Sequence, residues 1–258
     1  MAQRPSILQL EQTFLTAWPA GEDAWDGGWV RRASGGYTKR ANCLQCMDPG
    51  DADQIEKRVT AFIDWSAARE ISPILRVTPL CNPAIPEKLK RMGWQAFETS
   101  VVLTGPTGAH FDPDAHCERI DPFSEEWLES QIAFSGYASD RRNELARMIG
   151  HMPSTRTGIL MRDADGRPAA SGLIVASKGV GVYFNIVVRP DLRGYGIGKR
   201  IMKHAMQSLR EMGAHWSALQ VVGTNQTARN LYRGLGFDEL YEYYYMRPPA
   251  EELSGAAE

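Results

Sequence analysis

The sequence predicts an α+β protein of two tandem domains, residues 1–106 and 107–248, each a mixed, mostly antiparallel twisted sheet flanked by helices, with a frayed tail at 249–258. Three observations predict it. Strand-type runs alternate with helical stripes along the chain. The order of elements from about Trp29 to Leu103 recurs further on at a fixed offset: Asn82 and Gly93 precede Asn225 and Gly236 by the same 143 residues (225 − 82 = 236 − 93 = 143), as Asn42 precedes Asn185 and Gly36 precedes Gly179. One stretch, Tyr183 to Gly198, joins a strand to a helix through a glycine-dense turn and anchors the second domain.

Ile7 to Trp18 carries a helical stripe of Leu8, Leu10, Phe14, Leu15 and Trp18. Gly27 to Gln45 reads as a hairpin turned at Gly35-Gly36, its second strand running from Tyr37 to Cys46. Asp51 to Glu70 reads as a helix with Ile55, Val59, Phe62, Ile63 and Ala67 on one face and Asp51 and Asp53 in its first turn. Ile74 to Thr78 is a strand, Asn82 to Met92 a helix begun by Pro83, and Gln95 to Leu103 a strand. Thr104 to Phe123 is a Gly-, Pro- and Asp-rich linker that includes a first strand at Cys117 to Ile120. Helices at Ser124 to Phe134 and Asp140 to Met152 open on capping residue types. A hairpin from Thr157 to Ser177 turns at Asp163 to Gly166, and the central strand starts at Gly179 to Gly181. After the glycine turn, Lys199 to Met212 is helical through Ile201, Met202, Ala205, Met206, Leu209 and Met212, and strands follow at His215 to Val222 and Leu240 to Met246.

The composition is that of an ordinary globular chain of 258 residues, and a formal charge of −2 gives no basic field for nucleic acid. No apolar signal core opens the sequence and no run of about 18 apolar residues occurs, which predicts a cytoplasmic protein without membrane contact. Four cysteines, Cys43, Cys46, Cys81 and Cys117, read as reduced. Cys43 and Cys46 would face opposite sides of a strand, and the five histidines are scattered, so no metal site is expected.

The glycine turn has a physical use. Without side chains in the way, backbone N–H groups at a helix start crowd around an anion, and the helix terminus adds partial positive charge. A P-loop would need glycine where Arg193 stands and a hydroxyl where Arg200 stands. A dinucleotide fingerprint would need G-x-G-x-x-G, whereas Gly194, Gly196 and Gly198 are spaced by two throughout.

The stretch resembles the acetyl-CoA-binding motif of the GNAT N-acetyltransferase superfamily, R/Q-x-x-G-x-G/A, at Arg193, Gly196 and Gly198 after Val188-Arg189-Pro190. A second signature of that superfamily, N-x-x-A-x-x-L-Y ending in G-F, is matched by Asn225, Ala228, Leu231, Tyr232, Gly236 and Phe237. The resemblance implies an acetyl-CoA-dependent acyltransferase that acetylates a primary amine of a small molecule or peptide by direct attack, working as a monomer or homodimer. It implies a splayed central strand in the second domain whose backbone N–H groups at Ile186, Val187 and Val188 bind the thioester carbonyl and pantetheine. The N–H groups of Arg193, Gly194, Tyr195, Gly196, Ile197, Gly198 and Lys199 would take the pyrophosphate, and Asn225 the pantetheine arm. Tyr232 stands where the superfamily has a tyrosine that protonates the departing thiolate.

The general base stays open among Tyr183 and Asn185, which would share a face of the central strand, and Glu242 before Tyr243-Tyr244-Tyr245. A tandem duplication would leave the first domain degenerate: opposite Arg193, Gly196 and Gly198 stand Gly50, Asp53 and Ile55, and opposite Tyr232 stands Leu89. Carboxylates at Asp51 and Asp53 would repel a pyrophosphate. A regulatory protein that binds acetyl-CoA without turnover is the alternative reading. Arg31, Arg32, Lys39 and Arg40 offer a basic hairpin to an acidic acceptor, or a solvated charged face.

Overall fold

The computed structural model describes residues 2–107, 110–136 and 141–249. In chain order the elements are α1 (Ile7–Ala17), β1 (Glu22–Asp26), β2 (Trp29–Ala33), β3 (Leu44–Cys46), α2 (Ile55–Ala67), β4 (Leu75–Val77), α3 (Ala84–Arg91), β5 (Gln95–Pro106) and β6 (Cys117–Ile120). There follow α4 (Glu125–Ser135), α5 (Arg141–His151), β7 (Arg156–Arg162), β8 (Pro168–Ser177), β9 (Val180–Val188), α6 (Ile197–Glu211), β10 (Trp216–Val222), α7 (Gln226–Arg233) and β11 (Asp238–Arg247). The expected helix start at Asp140 and most of the expected tail, from residue 250 on, lie outside the described residues.

The chain forms two compact units. The N-terminal unit holds 18–101, 222–224 and the part of the chain from Tyr241 on; the C-terminal unit holds the first 17 residues, 102–221 and 225–240. This division departs from a boundary at 106/107. Helix α1 packs on β8 and β9 of the C-terminal unit, because its buried face of Leu10, Phe14 and Ala17 specifies burial but not which sheet supplies it.

In the N-terminal unit the strand order is β1-β2-β3-β4-β11-β5; β1 with β2, β2 with β3 and β4 with β11 are antiparallel, and β3 with β4 is parallel. Helices α2 and α3 cover a core of Trp29, Leu44, Val59, Phe62, Leu75, Ile85 and Leu89. The first hairpin turns at Gly27-Gly28, not at Gly35-Gly36: Asp26 pairs with Trp29, and Gly27 takes a φ of 57°. The strand expected from Tyr37 to Cys46 shrinks to β3, preceded by a short 3₁₀ turn at Lys39–Ala41. Asn42 is the cause. Its Oδ1 accepts from the N–H groups of Ser34 and Gly36, and its amide donates to Thr38 O, so a side chain folds the loop that a ladder would otherwise extend.

In the C-terminal unit the order is β5-β10-β9-β8-β7-β6, with β9 and β10 parallel and the β6 to β9 meander antiparallel. Helix α6 buries Ile201, Met202, Ala205, Met206 and Leu209 against β8 and β9, the stripe read from sequence apart from Met212, which caps the helix and is half-buried. On the other side, Trp127 of α4 lies fully buried and donates its indole N–H to Gly172 O at 3.0 Å. Shifted by the 143-residue offset, the bounds of α2, β4, α3 and β5 fall within two residues of those of α6, β10, α7 and β11.

Candidate active site

Strand β9 is paired on one side along most of its length and on the other only at its start. Its parallel partner β10 meets it at Val180, Gly181 and Val182 alone, so the two strands part beyond the Ala218–Val182 pair. On the β8 side, Leu173 faces Phe184 and Ser171 faces Val187, so Gly172 stands against two residues, Asn185 and Ile186. That is a β-bulge, and Asn185 sits in it with a φ of 50°. Asparagine is one of the few side chains that tolerate this region. A Cβ at Gly172 would collide with the Ile186 side chain, so glycine there admits the bulge.

The backbone beyond the bulge has a readable direction. Arg189 N–H donates to Ala169 O at 2.9 Å. Alternation in an antiparallel ladder then turns the N–H of Val187 to β8 as well, and those of Ile186 and Val188 away from it, into the wedge. Of the three expected backbone donors, Ile186 and Val188 therefore face the opening and Val187 does not.

From Val188 the chain passes through a 3₁₀ turn at Pro190–Leu192 into the glycine turn. Gly194 and Gly196 have φ of 85° and 77°, and no atom lies within 4 Å of where a Cβ on either would stand. Among the described residues, the N–H groups of Gly194, Tyr195, Gly196, Ile197 and Gly198 meet no acceptor. The two flanking donors are already used: Arg193 N–H goes to Pro190 O and Lys199 N–H to Gly196 O. The open set is thus narrower than the seven residues the sequence suggests. The Arg193 guanidinium fastens the turn, donating from Nε to Val188 O at 3.1 Å and from Nη2 to Phe134 O at 2.9 Å. Tyr195 is 78% exposed, Lys199 is exposed, and Arg200 forms a two-pronged pair with Asp114, whose carboxyl it holds below the ordinary range.

Asn225 caps α7, its Oδ1 accepting from Ala228 N–H at 3.0 Å, which leaves its amide N–H₂ to bond elsewhere. Tyr232, on α7, packs its ring edge-on to Phe237 at 6.2 Å, and its hydroxyl meets no partner among the described residues. Desolvation pushes its pKa up to about 12.

The three candidates for the general base fare differently. Tyr183 also packs edge-on to Phe237, at 5.9 Å, but is buried and donates its hydroxyl to Ser217 Oγ at 2.9 Å; burial raises its pKa far enough to keep it protonated. The bulge breaks the alternation that would have put Asn185 on the same face as Tyr183. Glu242 is exposed in the N-terminal unit's part of β11, and Tyr243 and Tyr245 beside it are buried, with the Arg76 guanidinium 3.9 Å over the Tyr243 ring. The tyrosine run is packing.

Sequence reasoning missed Gln220. It lies on β10 two residues past the last pair with β9, on the face that carries Trp216 and Ala218 and not the α6 face. Its Oε1 is buried and has no hydrogen-bond partner among the described residues. Two structure-holding side chains were missed as well, Gln131 and Ser171. The only local signal for the bulge they meet is an asparagine within a run of strand formers.

In the N-terminal unit the corresponding places are filled. Leu44 and Gln45, which the offset aligns with Val187 and Val188 (187 − 44 = 188 − 45 = 143), pair with Leu75 and Arg76 of β4, so no wedge opens there. Asp51 precedes α2 instead of starting it; its carboxylate accepts the Gly28 N–H at 2.7 Å and pairs with Arg58, which lies 4.0 Å over the Trp29 ring. The basic hairpin is likewise engaged: Arg31 pairs with Asp26, buried Arg32 with Asp23, and Lys39 with Glu98, while Arg40 lies over the Trp18 ring. All four cysteines are free thiols, with Cys46 and Cys81 sulfurs 3.6 Å apart.

The family described as "Probable histone acetyltransferase Rv0428c C-terminal" matches residues 5–246. A Bacillus subtilis protein named "Uncharacterized N-acetyltransferase YobR" is 23% identical over 241 residues, 93% of this chain and 97% of the relative. Among solved structures, a GCN5-related N-acetyltransferase from Kribbella flavida superposes with a TM-score of 0.72 at 19% identity, covering 96% of this chain and 97% of the other. A tandem GNAT protein from the clavulanic acid biosynthesis pathway gives 0.57 at 14% identity, covering 95% and 88%.

Proposed function

Because the chain belongs to the GNAT superfamily of N-acetyltransferases, in the family of the Rv0428c C-terminal region, we propose that it transfers the acetyl group of acetyl-CoA to a primary amine of a small molecule or peptide by direct attack. The observation that carries the reading is the wedge between β9 and β10, which opens two backbone donors beside a glycine turn with five more. The open space around Gly194 and Gly196 fits a pyrophosphate, which needs close approach to N–H groups and a helix start.

Acetyl-CoA supplies the acetyl thioester. The N–H groups of Gly194 to Gly198 hold the pyrophosphate, Val188 N–H and the Asn225 amide hold the pantetheine arm, and Ile186 N–H faces the thioester carbonyl oxygen. Negative charge grows on that oxygen as the amine nitrogen bonds to the carbonyl carbon, and a fixed donor in a dry cleft stabilises it. As the carbon–sulfur bond breaks, the Tyr232 hydroxyl gives its proton to sulfur. A phenol raised to about 12 is a weak acid, so this transfer needs the proton leaving the amine nitrogen to restore the hydroxyl. The balance closes: one proton passes from nitrogen to sulfur, and amide and thiol are released. Gln220, with its open amide on the face away from α6, is the group we assign to the acceptor amine.

The N-terminal unit reads as a degenerate copy that binds no coenzyme, since β3 and β4 are paired where β9 and β10 part. Thiol release from acetyl-CoA across a panel of small amines and peptide N-termini tests the activity. Release with at least one acceptor supports it; tight acetyl-CoA binding with no release from any acceptor would favour a regulatory role instead.

A further inference from the structure

Resting on that reading of the wedge, we propose that Gln131 is a positioning residue for acyl transfer: it sets the direction of the Ile186 N–H. Gln131 lies on α4 and is 1% exposed. Its Nε2 donates to Ser171 Oγ at 2.9 Å and to Asn185 O at 3.1 Å, so each of the two amide hydrogens has its own acceptor.

The Asn185 carbonyl and the Ile186 N–H are the two ends of one peptide plane. In a trans peptide they point in opposite directions, and the plane is rigid. Drawing Asn185 O towards α4 therefore aims Ile186 N–H away from α4. The peptide needs such a hold, because it is the one at the bulge, where the ladder to β8 slips by a residue and the Asn185 backbone sits in the left-handed region. Ser171 fixes the amide from below by taking its second hydrogen. The same helix also holds the far end of the open segment, since Phe134 O receives the Arg193 guanidinium that bonds Val188 O. Helix α4 thus grips β9 at both ends of its unpaired backbone.

The contact in question touches only the acetyl group's carbonyl, so the test compares acetyl-CoA with coenzyme A. Titration calorimetry would be run on the full chain, on Gln131→Met, which keeps volume and loses the amide, and on Ser171→Ala, which frees one amide hydrogen. Gln131→Met is expected to weaken acetyl-CoA binding by about 5–30-fold, the worth of one lost hydrogen bond, while coenzyme A binding stays within about twofold. Ser171→Ala should show the same preference in smaller measure, and it decides the matter if Gln131→Met does not fold. Folded variants that weaken both ligands equally, or neither, would overturn the assignment while leaving the coenzyme site in place. A parent protein that binds neither ligand would overturn the coenzyme site and this inference together.

Discussion

Two tyrosines meet the same phenylalanine edge, and only one keeps a free hydroxyl. The Tyr183 hydroxyl donates a hydrogen bond to Ser217 Oγ, whereas the Tyr232 hydroxyl meets nothing among the described residues. Tyr232→Phe should therefore leave acetyl-CoA affinity nearly unchanged and reduce turnover by about 10²–10⁴-fold on a proven acceptor. Parent-like turnover would reduce the residue to packing. The raised pKa gives a second readout: with Tyr232 protonated up to about 12, kcat/KM should climb with pH as the acceptor amine loses its proton, and show no falling limb below about pH 10. Gly196 is the other single residue that carries weight. No atom crowds the place of its Cβ, and although a φ of 77° strains any side chain by roughly 1–2 kcal/mol, aspartate is one of the few that visit this region; its carboxylate would stand where phosphate must. Gly196→Asp should fold, by circular dichroism, and lose acetyl-CoA binding by calorimetry.

Corresponding helix starts have opposite chemistry in the two units. At α6 five N–H groups are open; before α2 the Asp51 carboxylate fills the role of an internal anion, held by Gly28 N–H and Arg58. The Arg58 hydrogen bond is the main reason the Asp51 carboxyl titrates below the ordinary aspartate value. A depressed folded pKa means that the stabilisation is complete above the unfolded value, near pH 4, and is lost as pH falls through the folded one. Asp51→Asn should lower unfolding free energy at pH 7 by about 1–3 kcal/mol in urea titrations, and the gap from the parent should narrow below pH 4. Elements of this kind were largely legible: the stripes of α2 and α6, the turn at Asp163 to Gly166 and the glycine turn all declare themselves by local pattern. What stayed hidden was decided by side-chain bonds that no residue pattern announces. Gly27-Gly28 and Gly35-Gly36 look alike in sequence, and only the Asn42 bonds to Ser34 and Gly36 show which pair ends a ladder. Of the candidate site, the strand, glycine turn and helix were legible to the same depth, while the bulge rests on Gln131 and Ser171, 54 and 14 residues from Asn185 (185 − 131, 185 − 171).

At the scale of the molecule, the proposed reading gives the chain one coenzyme site. Calorimetric titration should find one acetyl-CoA per chain, and a second site of similar affinity would contradict the closed pairing of β3 with β4. The units also trade parts of the chain: the N-terminal one takes β11 beside β4, and the C-terminal one takes α1 and the end of β5. A cut at 106/107 should therefore yield two fragments that aggregate or stay unfolded when made separately, and recover acetyl-CoA binding only when co-expressed; a soluble, cooperatively melting 107–258 fragment would refute this. The trade also sets a timetable for synthesis. Strand β4 keeps a bare edge until Tyr244, Tyr245 and Met246 have been made, which at about 5–20 residues per second leaves about 7 to 30 seconds after Val101. During that interval a row of unpaired N–H and C=O groups beside the Leu75 to Val77 strand can recruit the wrong chain. Slowing translation between codons 102 and 240 should therefore raise the insoluble fraction, whereas slowing it within the first hundred codons should not.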